Sequence, residues 1–175
     1  MSATAHDQAA AFDERDLRRA FGTFATGVTI ITTRDAQGRL YGLTASSFNS
    51  VSLEPPLVLW SLARRAGSYP AFHDATHFGV NVLGGEHRAL SARFAQPHPD
   101  KFAGIPHTVG RYGVPLLTGA AAHFECRIEE RFEGGDHVIV LGKVEAYDYV
   151  DKPTLLFWQG RYHTAHAFPD DDNPT

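Results

Sequence analysis

Phe124, Cys126 and Ile128 alternate with Glu125, Arg127 and Glu129, the period of two expected where successive side chains point to opposite faces of a half-buried strand. Glu133-Gly-Gly-Asp136 then turns the chain, and Val138 to Leu141, followed by Val144 and Ala146, predicts the returning arm of a long hairpin. Val28 to Thr33 is dense in β-branched residues, Asp35 to Gly38 supplies a turn, and Leu40 to Thr44 returns as its partner. Leu57 to Leu62, Phe78 to Leu83 and Leu155 to Trp158 read as further strands. Helical spacing is confined to three places. Asp13 and Asp16 resemble a capping box ahead of Leu17, Ala20, Phe21 and Phe24, predicting a helix that runs until Gly27. Ser68 to Ala75 and Glu86 to Ala95 predict short connecting helices, the latter with Leu90 and Phe94 on one face.

Helices do not alternate regularly enough with strands for a doubly wound parallel sheet, and a mainly β, antiparallel barrel with a few short flanking helices is the better reading. A chain of 175 residues, 43% apolar, holds one core and one domain. We assign that domain to residues 13–168, between a flexible N-terminus at 1–12 and a flexible acidic tail at 169–175. The net charge of −4 with scattered Lys and Arg offers no footprint for a phosphate backbone, so nucleic acid is not an expected partner. Apolar runs such as Leu57–Trp60 fall far below the roughly 18 residues of a membrane span. Thr4, His6 and Asp7 do not make a secretory leader, and a cytoplasmic location is the expectation. Cys126 stands alone, so it predicts a buried small hydrophobe, with no disulfide or thiolate metal site.

Two segments that follow strands carry candidate chemistry. Gly42-Leu-Thr-Ala-Ser-Ser-Phe-Asn-Ser50 offers hydroxyls, small residues and backbone amides that could cradle a phosphate and admit a flat ring. Alone it reads first as an ordinary polar turn leading to Glu54-Pro-Pro56. Ser61-Leu-Ala-Arg-Arg-Ala-Gly-Ser68 adds Arg64, Arg65 and two serines where an anionic cofactor tail could be held. Neither is a Walker sequence, and no Gly-x-Gly-x-x-Gly follows a strand. His137 begins an apolar strand and Arg161-Tyr-His163 lies near the last one; each also fits a structural role at a strand end. The pairs His73/His77 and His163/His166 lack the glutamate and cysteine context of metal sites, and no Gly-x-Ser-x-Gly elbow supports Ser/His/Asp hydrolysis.

Ala25-Thr-Gly-Val-Thr-Ile-Ile-Thr-Thr33, Gly42-Leu-Thr-Ala-Ser-Ser-Phe48, Ser52-Leu-Glu-Pro-Pro-Leu-Val58, Phe78-Gly-Val-Asn-Val-Leu83 and Gly135-Asp-His137 resemble, in that order, the short-chain flavin reductases. The resemblance runs from about Phe12 to His163 and implies a homodimeric FMN-binding split β-barrel of Greek-key type. It implies NADH or NADPH as hydride donor, FMN (or FAD) as acceptor, and a flavin-dependent monooxygenase as partner. By the same likeness Thr44, Ala45, Ser46 and Ser47 would hold the flavin, Ser61, Leu62, Arg64 and Ser68 would line its ring and phosphate end, and Arg93 would help at a phosphate or adenylate tail. His137 would stand beside the nicotinamide as the catalytic position, with Tyr162 and His163 flanking it. Hydride transfer needs the two rings stacked at about 3 to 3.5 Å and draws its electronic chemistry from the flavin, so no conspicuous acid, base or nucleophile has to be present. The alternatives are a flavin- or haem-binding module without turnover, an FMN oxidase of the pyridoxamine-phosphate type, and a structural barrel whose loops are only turns.

Overall fold

The computed structural model describes residues 12–167; the expectations for the chain before Phe12 and for the acidic tail lie outside the described residues. In chain order the elements are α1 (Glu14–Phe21), β1 (Thr26–Gly27), β2 (Thr29–Arg34), β3 (Leu40–Ala45), β4 (Asn49–Leu53), β5 (Pro56–Ala63), α2 (Tyr69–Asp74) and β6 (His77–Val82). A 3₁₀ turn (Gly85–His87) leads into α3 (Arg88–Ala95), then β7 (His107–Val109), β8 (Pro115–Leu117), β9 (Ala122–Gly134), β10 (His137–Tyr149), β11 (Leu155–Trp158) and β12 (Arg161–Thr164).

Seven strands form one antiparallel sheet in the order β3-β2-β6-β9-β10-β5-β4. Its two edges, β3 and β4, are consecutive in the chain and joined only by Ser46–Phe48. The sheet therefore curls until its edges approach, and the Ser61 amide of β5 donates to the Ser47 hydroxyl at 2.9 Å across this seam. Strand parity fills the interior: Val58, Trp60 and Leu62 of β5 join Ile31, Phe78, Val80, Cys126, Val138 and Val140, with Phe72 of α2 closing one end. A second core packs Ile30, Leu83, Phe94, Phe102, Leu117 and Leu155 against the outer side. The three-stranded sheet β1-β11-β12 and the hairpin β7-β8 complete the fold.

Three sequence expectations are revised. Helix α1 stops at Phe21 and does not reach Gly27, because Gly22 O accepts from Gln159 N at 2.9 Å and Thr23 O accepts from the Trp158 indole at 3.1 Å, drawing the chain onto the β11-β12 turn. Phe21 and Phe24, expected on a buried helical face, are 69% and 76% exposed. Glu125, expected outward, is only 6% exposed. Its carboxylate accepts from the Arg111 and Tyr112 amides at 3.0 and 2.8 Å, satisfying a turn that folds over β9. Cys126 is fully buried and burial pushes its thiol far above the ordinary thiol range, as befits a small hydrophobe.

Candidate active site

Strand β3 lies along a cavity of about 740 Å³, within the size range of small-molecule sites. Its first residues approach α3, where Gly42 is required: a Cβ there would stand 2.5 Å from the Phe94 ring. Its last residues run into Ser46 and Ser47 beside the seam. Thr29 Oγ1 donates to Ala45 O at 2.9 Å and Thr44 Oγ1 to Ser91 O at 2.6 Å, so backbone and helix hold this end of the strand rigidly. On β5 the alternation that sends Trp60 and Leu62 into the barrel sends Ser61 and Ala63 into the cavity. His137, opposite Ala63 in the β5-β10 register, enters beside them. The turn before it needs Gly135, whose φ is +71°.

The cavity wall is strongly one-sided in charge. Arg39, Arg65 and Lys101 line it together with His98 and His137, and among the described residues no Asp or Glu does, in a chain whose net charge is −4. Such a surface favours an anionic ligand. The Lys101 ammonium donates to Gly42 O at 3.2 Å and Phe94 O at 2.6 Å, tying β3 to the end of α3, and burial lowers its pKa from the ordinary 10.5. His137 Nδ1 lies 2.7 Å from an Asp136 carboxylate oxygen. The imidazole holds that carboxyl below its ordinary range, and with the proton on Nδ1 the Nε2 atom is left for the cavity.

Of the residues named from sequence, the structure brings Thr44, Ala45, Ser46, Ser47, Ser61, Ser68 and His137 to one wall. The others stand elsewhere. Leu62 is in the barrel core. Arg64 turns away to the Glu133 carboxylate and the Tyr69 hydroxyl. Arg93 braces a loop, donating to Ala103 O at 2.6 Å and Asp100 O at 3.4 Å. Tyr162 shares a hydrogen bond with Ser91 Oγ at 2.9 Å, and His163 packs edge-on to Trp158. Sequence reasoning passed over Arg39, Tyr41, Lys101 and the Gln96–Pro99 segment. The parity of β5 could have removed Leu62, but the loop after α3 carries no periodicity that would aim it at β3. Among the described residues no group of three or more His, Cys, Asp or Glu is placed to hold a metal, and no helix is long and apolar enough to cross a membrane.

Comparison with known proteins adds an independent line. The family model described as flavin reductase like domain matches residues 21–166. The chain is 42% identical over 150 residues to the reductase component of a flavin-dependent trigonelline monooxygenase from Acinetobacter baylyi, covering 86% of this chain and 48% of the relative. It thus spans about half the length of that relative. It is 41% identical to the FMN reductase (NADH) SmoA of Agrobacterium fabrum, covering 86% and 85% of the two chains. Among solved structures, the NADH:FAD oxidoreductase SgcE6 of Streptomyces globisporus, in complex with NAD and FAD fragments, superposes with a TM-score of 0.83 at 38% identity, covering 94% of this chain and all of the other. The antiparallel split-barrel expectation agrees with this match.

Proposed function

This chain belongs to the flavin reductase like domain family, and we propose that it is an NAD(P)H-dependent flavin reductase, taking hydride from NADH or NADPH to FMN or FAD and supplying reduced flavin to a partner monooxygenase. The observation that carries the reading is the cavity itself: an anion-favouring wall to which the described residues bring no carboxylate, with small residues and hydroxyls where a flat ring must lie against backbone. That donor set fits a flavin phosphate and ring. When bound, the flavin supplies the two-electron acceptor chemistry.

The protein's own part is positioning. Gly42, Ala45 and Ser46 keep the β3 side of the cavity low. Ser47 has its hydroxyl fixed by the Ser61 amide, which orients one polar contact before any ligand arrives. Arg65 and Ser68 offer a cation and a hydroxyl to a phosphate. His137, fixed by Asp136, presents Nε2 where the nicotinamide would approach and where negative charge develops as the flavin is reduced.

The functional unit in this reading is a homodimer. Phe21, Phe24 and Leu53, the last 94% exposed, are apolar surface that a second copy would cover. Sedimentation should give twice the chain mass, and a flavin-binding monomer would contradict this part. A reaction fed by reduced pyridine nucleotide fits a cytoplasmic setting.

The test is anaerobic bleaching of the flavin band near about 450 nm after adding NADH or NADPH to protein supplied with FMN or FAD. Rapid bleaching with one pair is the expected result and identifies both cofactors. Tight flavin binding without bleaching would overturn the reductase reading in favour of a binding module.

A further inference from the structure

We propose that Arg64 is a positioning residue that couples the flavin phosphate to His137: a phosphate held by Arg65 and Ser68 orders their loop, and Arg64 passes that order through Glu133 to the turn from which His137 enters the cavity. The inference rests on the flavin site of the reading above. Arg64 and Arg65 are neighbours in the chain, yet Arg65 lines the cavity and Arg64 does not. The Arg64 guanidinium pairs with the Glu133 carboxylate and donates to the Tyr69 hydroxyl at 3.3 Å. Its backbone amide donates to Asp136 O at 3.0 Å. Both ends of the Glu133–Asp136 turn are therefore tied to one residue of the segment that leaves β5.

The turn needs such a tie. Among the described residues β6 pairs with β9 only from Ala122 to Arg127. Past the Ile128 amide, which donates to Thr76 O at 2.8 Å, the remainder of β9 has β10 alone as its neighbouring strand. Arg131 then fixes the stem of the hairpin, donating to Phe72 O at 3.1 Å and Ala75 O at 2.8 Å at the end of α2, where helix carbonyls lack partners of their own. Beyond that point Glu133, Gly134, Gly135 and Asp136 are all exposed. Exposed backbone with few packed neighbours lies at the low-stability end of a fold, where a small interaction shifts the population. His137 is the first residue after this turn, opposite Gly134 of β9 and Ala63 of β5. Its hydrogen-bond partner, Asp136 at 2.7 Å, belongs to the turn itself. A turn that shifts carries the imidazole with it.

The phosphate side is wound closely enough to transmit order. Ala66 N donates to Ala63 O at 3.0 Å and Tyr69 N to Ala66 O at 2.8 Å, so two successive turns carry the chain from β5 into α2. Phe72, buried in the core, anchors the far end of that helix. Arg64 lies inside the first of these turns, one peptide from Arg65, and a phosphate that fixes Arg65 and Ser68 fixes the Arg64 backbone between them and β5. The Arg64–Glu133 pair is too open to hold the fold, with side chains 38% and 84% exposed. A pair of that kind shifts an equilibrium by about fivefold at most. That is enough to decide which arrangement of a loosely held turn the flavin meets.

Riboflavin has the flavin ring and lacks the phosphate, so comparing it with FMN isolates the coupling. The full chain is used as wild type, Arg64→Ala, Arg64→Lys and Glu133→Gln, with equal thermal melts confirming that the variants fold. Two quantities are measured with each flavin saturating: kcat with reduced pyridine nucleotide, and amide hydrogen exchange from Gly134 to His137. In wild type, FMN should exceed riboflavin in kcat by about threefold to fivefold and slow exchange in the turn further. Arg64→Ala and Glu133→Gln should abolish both differences, and Arg64→Lys should retain part of them. The riboflavin rate should stay at its wild-type value in every variant, which a merely structural loss would not allow. FMN and riboflavin alike in wild type, an FMN advantage that survives Arg64→Ala, or equal losses with both flavins overturns the coupling and leaves the reductase reading intact. Wild type that reduces no flavin, while FMN slows exchange in the turn through Arg64, keeps the coupling and removes the reductase reading. Wild type that shows neither flavin reduction nor a phosphate-dependent change in exchange overturns both.

Discussion

Arg65→Ala removes a guanidinium that lines the cavity, whereas Arg64→Ala removes one that is engaged with Glu133 and Tyr69 outside it. The two arginines are adjacent in sequence and carry the same charge, so the pair isolates position from electrostatics at long range. A charge-assisted hydrogen bond to a phosphate is worth about 1.5 to 3 kcal/mol, and an exposed Arg65 places the expected loss near the lower bound. At about 1.4 kcal/mol per tenfold, Arg65→Ala should weaken FMN binding about tenfold. Arg64→Ala should change it by less than about twofold, since only a screened field is lost. Flavin fluorescence titrations in low and moderate salt measure both, and the Arg65 effect should shrink less with salt than any Arg64 effect. Equal losses, or a larger loss for Arg64→Ala, would refute the placement of Arg65 at the phosphate.

Other perturbations test other parts of the reasoning. His137→Ala should lower turnover with NADH well beyond its effect on flavin content; rates matching wild type would remove its role beside the nicotinamide. Glu125→Ala leaves the Arg111 and Tyr112 amides without their acceptor, costing about 2 to 4 kcal/mol and lowering Tm by about 5 to 15 °C in a melt; a fall under about 2 °C would show that the turn re-satisfies itself. His87 is held below its ordinary 6.5, chiefly by burial, against the opposing pull of Glu86. The unfolded chain then takes up the proton first as pH falls through 6.5, so this contribution to stability is present above that pH and is lost progressively below it. His87→Gln should flatten the decline in the denaturant midpoint between neutral pH and about pH 5.5, and an unchanged slope would assign the decline to other groups.

The strands and the seven-stranded sheet's long hairpin were legible because alternation and turn residues act locally: Phe124 to Ile128 and Glu133 to Asp136 specify their geometry without help from distant chain. Glu125 broke the alternation because its partners lie on a turn more than ten residues earlier, and no local pattern announces two amides in need of an acceptor. On the site, Thr44–Ser47, Ser61 and His137 could be named because each sits at the end of a readable strand. The choice between Arg64 and Arg65 depended on where the chain leaves β5, which register with Asp136 decides and composition does not. Arg39 and Lys101 reach the cavity only through a hairpin turn and an aperiodic loop, so their convergence is a property of tertiary packing.

The seam between β3 and β4 also makes occupancy and breathing of the barrel one equilibrium. Residues from both sides of it, Thr44 to Ser47 on one and Ser61 with Ala63 of β5, the strand next to β4, on the other, line the same cavity, so a ligand that touches both acts as a removable staple. By mass action, saturation at a hundredfold over Kd adds about 2.7 kcal/mol against any opening that separates the margins. Amide exchange across Ser46–Phe48 should therefore follow ligand concentration, and a protein whose ligand departs with each turnover would loosen and tighten its own barrel in step with catalysis.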